Sequence, residues 1–356
     1  MKANRLERVI KGMQAMGLSQ IIVSEPASVY YLTGLWVHPG ERMLALHITE
    51  GGAVLYANRL FALSGSAELP LVEYDDTDDC VAVLAENILP GKVGVDKFWP
   101  SQFTIRLMEA RGDIRCVLGS KCVDDARMLK DAEELELMRV SSIKNDEAIS
   151  RAIAAIRAGM TERELAAEYL KASEALGSGG ASFDALICFG ANCAEPHHDT
   201  DNSVLQHGDS VILDVGLTWK SYCSDMTRTV FFGEATEEQK RVYDLVEKAN
   251  RVGRAAVKPG VPLSEVDRAA RKVIEDAGYG KYFIHRTGHG IGLQTHEPPD
   301  VSATSNIIAQ PGMVFSVEPG IYLPGRFGVR VEDLVAVTED GCETLNKLPK
   351  ELVIVK

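Results

Sequence analysis

Residues 211–229 read VILDVGLTWKSYCSDMTRT. The stretch opens like a buried strand, Val211-Ile212-Leu213, and then places Asp214 where another aliphatic would fit. A second acid, Asp225, enters a β-branched run through Thr227, Thr229 and Val230 that also reads as strand. Asp is depleted in strand interiors, and an ionised carboxylate in an apolar core is costly unless compensated. Two carboxylates on neighbouring strands also repel each other. A bound cation resolves both problems. The alternative is that each Asp meets an arginine or backbone donors, since buried charges are usually paired; these residues by themselves leave both open.

Four further segments carry polar groups in apolar context. HRTGHGIGLQTHEPP (285–299) holds His285, His289 and His296, with glycines at 288, 290 and 292 that allow close backbone approach. MVFSVEP (313–319) places Glu318 at the end of a β-branched run. GVRVEDLVAV (328–337) alternates so that Arg330 and Glu332 share one face and Asp333 takes the other. Pro196-His197-His198 precedes the first Asp strand.

Charge decides between pairing and metal. Asp214, Asp225, Glu318 and Glu332 sum to −4, which Arg330 alone cannot neutralise and two divalent cations can. With His289 as the favoured imidazole, the set is hard and oxygen-rich, suited to manganese or cobalt more than to a thiolate zinc cage. The expectation is a two-metal centre with bridging carboxylates. His38, His47, His198 and His207 are read as ordinary polar residues. His285 is either a hydrogen-bonding support or filling, and His197 and His296 sit in loops where a catalytic histidine meets substrate.

The rest of the chain bounds the class. Its 356 residues suggest two domains. A hydrophobic fraction of 46% and a charged fraction of 25% are those of an ordinary globular protein. The formal charge of −13 argues against nucleic acid or an anionic membrane as partner. The N-terminal pattern is charged and amphipathic, not a signal peptide, and no apolar run suits a membrane span. Seven cysteines without a CxxC pair fit neither a disulfide framework nor a zinc finger. The expected location is the cytoplasm.

In order, a helix over 4–17, strands at 20–24, 42–48, 53–57, 71–74, 92–95 and 114–117, and helices near 79–88 and 101–110 predict an α/β domain over 1–128. Pro26 and Thr33-Gly34 are read as loop punctuation. Helices follow over 129–158, from the capping box Thr161–Glu164 to Gly177, from Thr236 to about 259, and from Ser264 to Gly278. Strand 182–190 and the acid-bearing strands complete a second domain, 129–356. The order of elements in 130–230 recurs crudely in 236–336, a hint of internal duplication.

The motifs LDVG, SDMTRT, HRTGHGIG, HEPP, SVEPG and GVRVED together resemble, in order, those of the M24 metallopeptidases of the pita-bread fold. The preceding residues resemble the creatinase/prolidase-type N-terminal domain. The resemblance implies an α/β (α+β) fold of that layout and a cytoplasmic metallopeptidase. It would cut the bond before proline as an Xaa-Pro dipeptidase, with Xaa-Pro aminopeptidase (aminopeptidase P) as the alternative and a non-catalytic pita-bread binding protein behind both. Carried over residue by residue, it implies Asp214, Asp225, His289, Glu318 and Glu332 as ligands of two divalent ions, Mn2+ or else Co2+ or Zn2+, with Asp225 and Glu332 bridging. It makes His296 substrate-facing, gives His197 the family's histidine before the first ligand strand, and makes Arg330 a support for the carboxylates. Catalytic work would fall to His197, His296, Glu318 and Arg330, with Glu318 as proton carrier. The substrate would be a small peptide with proline second. A homodimer is expected, with the loop Gly34–Gly40 of one chain at the site mouth of the other, and Arg326 as anchor for a proline carboxylate.

Overall fold

A computed structural model describes residues 2–66 and 68–356. The chain forms two compact units, one ending at Arg127 and the other running from Met128 to Lys356.

In the first unit, α1 (Ala3–Ala15) leads into β1 (Gln20–Val23), all four residues of which are buried. A strand apolar on both faces belongs in the middle of a covered sheet, and β1 lies there. The six-stranded order is β4-β3-β2-β1-β5-β6, with β2 (Ala45–Thr49), β3 (Gly52–Asn58), β4 (Leu71–Tyr74), β5 (Gly91–Val95) and β6 (Ile114–Leu118). Pairs β1–β2 and β2–β3 are antiparallel and the others parallel. Ile22, Val93, Trp99, Phe103 and Leu107 share one core.

The segment read as loop from Pro26 to Thr33 is instead a helix, α2. The Glu25 side chain accepts from Ser28 N at 2.8 Å, and Pro26 fills the first turn, where its missing N–H is no loss. Gly34, with φ of 78°, then ends it. Pro and Gly here bracket a helix. The remaining helices of this unit are α3 (Cys80–Ala85) and α4 (Ser101–Ala110), and α5 (Lys121–Met128), absent from the sequence reading, contains the junction.

The second unit begins with α6 (Ala132–Ala154), shorter at both ends than expected; its start is set by the capping box of Asp131 and Glu134. Its partner α7 (Glu162–Ala175) opens on the Thr161–Glu164 box. An antiparallel sheet follows, of β7 (Leu186–Phe189, shorter than the expected strand), β8 (Ser210–Val215) and β11 (Met226–Phe232), with β9 (Thr218–Trp219) and β10 (Tyr222–Cys223) forming a separate pair between β8 and β11 in the chain. The helices α8 (Glu237–Ala256, capped by Thr236 and Gln239) and α9 (Leu263–Asp276) come next. A second sheet then uses β12 (Gly288–Gly290), β13 (Glu297–Val301) and β14 (Val314–Val317). The hairpin β15 (Gly320–Leu323) and β16 (Phe327–Arg330) precedes β17 (Asp333–Val337) and β18 (Cys342–Thr344). Finally β19 (Ile354–Val355) runs beside β11, giving sheet orders β19-β11-β8-β7 and β13-β12-β14-β17-β18. A helix pair followed by an antiparallel sheet thus occurs twice. Apolar clusters on α6, α7, β8 and β11, on α8, β15 and β16, and on β14 and β17 surround the sheets.

Among the described residues, none of the seven cysteines forms a disulfide. Among the described residues, no helix is long and apolar enough to cross a membrane.

Candidate active site

Strand register brings the acids together. Asp214 in β8 lies opposite Thr227 of β11 and Leu186 of β7. Asp225 precedes β11, and Glu332 precedes β17, whose Asp333 pairs with Val317 of β14; Glu318 follows that strand directly. His289 sits mid-strand in β12, whose Gly290 pairs with Phe315. A Cβ at Gly288 would come within 1.9 Å of Ser316 O, and one at Gly290 within 2.3 Å of Pro298 O. The glycines around His289 are therefore there for packing.

A cleft of about 350 Å³ is lined by Asp214, Asp225, His289, Glu318, Glu332, His197, His296 and Arg330. The five expected ligands and the expected catalytic His197, His296 and Arg330 thus face one cavity. Ligand atoms of Asp225, His289 and Glu332 all lie within 4.8 Å of one another. His289 Nε2 is 3.7 Å from Asp225 Oδ2 and 3.5 Å from Glu318 Oε1.

The histidine proton can be placed. His289 Nδ1 faces the Gly290 carbonyl at 3.2 Å, an acceptor only, so Nδ1 carries the hydrogen. Burial holds this imidazole neutral, its pKa down to about 3. Nε2 therefore turns a lone pair toward two carboxyl groups, an arrangement that, with those groups ionised, a cation stabilises. Asp225 Oδ1 and Glu332 Oε1 are likewise buried with no hydrogen-bond partner. Burial, then Glu332, Asp214 and Glu318, pushes the Asp225 carboxyl well above the usual range; burial and the charges of Glu318 and Asp214 do the same to Glu332. Glu318 is raised to about 7, chiefly by burial. These residues fit a bound cation pair.

Arg330 is the one guanidinium woven through the acids. It donates to Asp214 Oδ2 at 2.5 Å, through Nε to Thr227 Oγ1 at 3.1 Å, and to the Tyr322 hydroxyl at 2.9 Å. Thr227 in turn donates a hydrogen bond through its hydroxyl to Glu332 Oε2 at 2.7 Å. Tyr322, which sequence reasoning missed, is buried and bonded to His285 Nε2 at 2.8 Å, while His285 Nδ1 meets the Arg286 carbonyl at 2.7 Å. His285 is thus a hydrogen-bonding support, in a bend before β12 with no helix involved. On the opposite strand face, Asp333 is tied to Arg228 at 2.9 Å and Lys350 at 3.1 Å.

One residue stands differently from its reading. Arg326 does not line the cleft: it is exposed and paired with Glu238. Besides Arg330, the arginine that lines it is Arg286, bonded to Asp300. His198 is bonded to buried Glu162 at 2.8 Å, and His47 is buried against Gln20 Oε1 at 3.1 Å. Beyond His296 and Arg286 a second cleft of about 510 Å³ continues along Pro298, Asp300, Thr304 and Asn306.

Comparison with known proteins agrees with this arrangement. Residues 136–339 match the metallopeptidase family M24 and residues 5–129 the creatinase/prolidase N-terminal domain. The solved dipeptidase of Pyrococcus horikoshii OT3 is 35% identical, covering 99% of this chain and 100% of its own, with a TM-score of 0.94. A prolidase from Thermococcus sibiricus is 32% identical over 100% and 99%, TM-score 0.95. Dipeptidase PepE of Mycobacterium ulcerans is 33% identical over 99% and 97%, TM-score 0.92. With both halves of its length matched and the acids of its strands gathered around one imidazole, this chain belongs to metallopeptidase family M24.

Proposed function

We propose that the protein is an Xaa-Pro dipeptidase using two divalent ions, manganese by preference, held by Asp214, Asp225, His289, Glu318 and Glu332. The observation that carries the reading is the bare His289 Nε2 facing Asp225 and Glu318 inside a cleft of dipeptide size. When bound, such ions polarise a carbonyl and acidify water.

The chain's own residues do the rest. Glu318, with Oε1 held by the Ser316 hydroxyl at 3.1 Å, takes the proton of the attacking water and gives it to the leaving nitrogen. Proline requires this, because its tertiary amide nitrogen leaves poorly until protonated. His296, kept neutral by burial and by Arg286, donates to the oxyanion together with His197. Arg330 fixes Asp214, and through Thr227 also Glu332, in place. Arg286 is the cation placed for a proline carboxylate. The prolidase name of the Thermococcus relative supports the proline preference. We place the enzyme in the cytoplasm as a homodimer joined through the Gly34–Gly40 loop, where Trp36 is 39% exposed.

A panel of Xaa-Pro and Xaa-Ala dipeptides, assayed with manganese, tests this. Cleavage confined to Xaa-Pro is expected, and equal cleavage of Xaa-Ala overturns it. One observation favours the Xaa-Pro aminopeptidase reading: the cleft continuing past His296 has room for residues beyond proline. Faster cleavage of Xaa-Pro-Xaa-Xaa than of Xaa-Pro would establish that reading.

A further inference from the structure

The carboxylate of Glu162 is fully buried at the first turn of α7, outside the metal cluster. It accepts from four donors: Phe189 N at 2.8 Å and Asn192 Nδ2 at 2.9 Å through Oε1, His198 Nε2 at 2.8 Å and Asp201 N at 2.9 Å through Oε2. The first two lie where the chain leaves β7, and the last two where the loop returns. One side chain therefore closes the loop from Phe189 to Asp201 at both ends. The main chain of α7 adds to this, since Glu162 N bonds Ser203 O at 3.2 Å and Arg163 N bonds Asp201 O at 3.1 Å.

His197 is carried by that loop. Its ring lines the cleft, is exposed, and makes no hydrogen bond among the described residues. Nothing on the ring itself fixes its direction. Its neighbour His198 points the other way, into the buried carboxylate, and His198 N bonds Glu195 O at 3.1 Å. We propose that Glu162 is a positioning residue for His197, acting through His198 as a carboxylate–imidazole clamp on the loop. A metal reading of Glu162, His198 and Asp201 is the weaker one, because both Glu162 oxygens already accept two hydrogen bonds each. Pairing this strong leaves no lone pair seeking a cation. The role rests on the proposed function in that His197 is there assigned to the oxyanion.

The experiment is a double-mutant cycle. His198→Ala is expected to lower kcat on an Xaa-Pro dipeptide about tenfold, the scale on which a small misplacement shows, with little change in KM. His198→Gln keeps an N–H donor at the Nε2 position and should restore most of the rate. In a His197→Ala background neither His198→Ala nor Glu162→Gln should cost anything further. Losses that add in that background, or a His198→Ala enzyme with the wild-type rate, overturn the proposal. Should Glu162→Gln fail to fold, the two His198 variants carry the cycle alone. A second readout needs no turnover. The His197 ring proton resonance in metal-free protein should broaden or move in His198→Ala and stay in place in His198→Gln. If the wild type cleaves no peptide, the functional reading falls, and an unmoved His197 resonance in His198→Ala separately sinks the clamp.

Discussion

His289 Nε2 and Glu318 Oε1 stand 3.5 Å apart, with the imidazole lone pair turned toward the carboxyl group. With Glu318 ionised that geometry is unfavourable without a cation, and this ties metal uptake to proton release. Glu318, near pKa 7, is largely protonated at pH 6 and largely ionised at pH 8. Calorimetric titration of manganese into metal-free protein, in buffers of differing ionisation enthalpy, should therefore show more protons released at pH 6 than at pH 8. Equal release at both values would remove Glu318 from the linkage.

Asp225→Asn should abolish hydrolysis and leave the fold intact. Its buried Oδ1 has no hydrogen-bond partner among the described residues, so the substitution breaks no bond made through that atom. Elemental analysis should find metal content falling from two ions towards one or none per chain, with an unchanged circular dichroism spectrum. Retention of both ions would take Asp225 out of the centre.

Arg286→Ala should raise KM for Xaa-Pro about tenfold or more, the usual cost of losing a charge-assisted pair, and should affect Xaa-Pro-Xaa-Xaa much less. Arg326→Ala should change neither, because its partner is Glu238 on the surface. Initial rates on both peptides check the pair; an Arg326 effect on the dipeptide would restore that residue as anchor.

His47 is buried in the sheet, and burial depresses its pKa to about 4. The unfolded chain takes up this proton near 6.5, before the folded one does. The neutral side chain's contribution is thus fully present above pH 6.5 and lost as pH falls towards 4, at most about 3 kcal/mol. Urea melts of wild type and His47→Gln at pH 7 and pH 4.5 should show a smaller loss in the variant. Parallel losses would contradict the assignment.

Trp36 packs edge-on against Tyr30, with ring centroids 5.0 Å apart, yet stays 39% exposed. A homodimer closing over this loop predicts light scattering near twice the chain mass and a weaker dimer in Trp36→Ala. A concentration-independent monomer would end the idea.

What could be read from the chain alone was whatever obeys a local period. Capping boxes at Thr161 and Thr236 mark helix starts because the satisfied donors lie within one turn. Acids interrupting β-branched runs reveal themselves because strands tolerate few of them. Parity separates Glu332 from Asp333: one faces the cleft and the other meets Arg228 and Lys350 on the far side. Even local signals have two meanings, however; Pro26 and Gly34 punctuate a loop or bracket a helix equally well, and Glu25 as cap decides it.

Only the tertiary structure could show that Tyr322 joins Arg330 to His285, that Glu162 holds His198, and that Arg286 rather than Arg326 lines the cleft. Those partners are 8, 37 and 36 residues apart, and beyond the first pair, which the hairpin register sets, none follows a strand or helix repeat. Arg326 and Arg286 are the same side chain in composition and in motif proximity. Which one meets a surface acid and which meets the cavity depends on how the hairpin of β15 and β16 and the strand β12 pack, and that is decided by the core, not by the residues themselves.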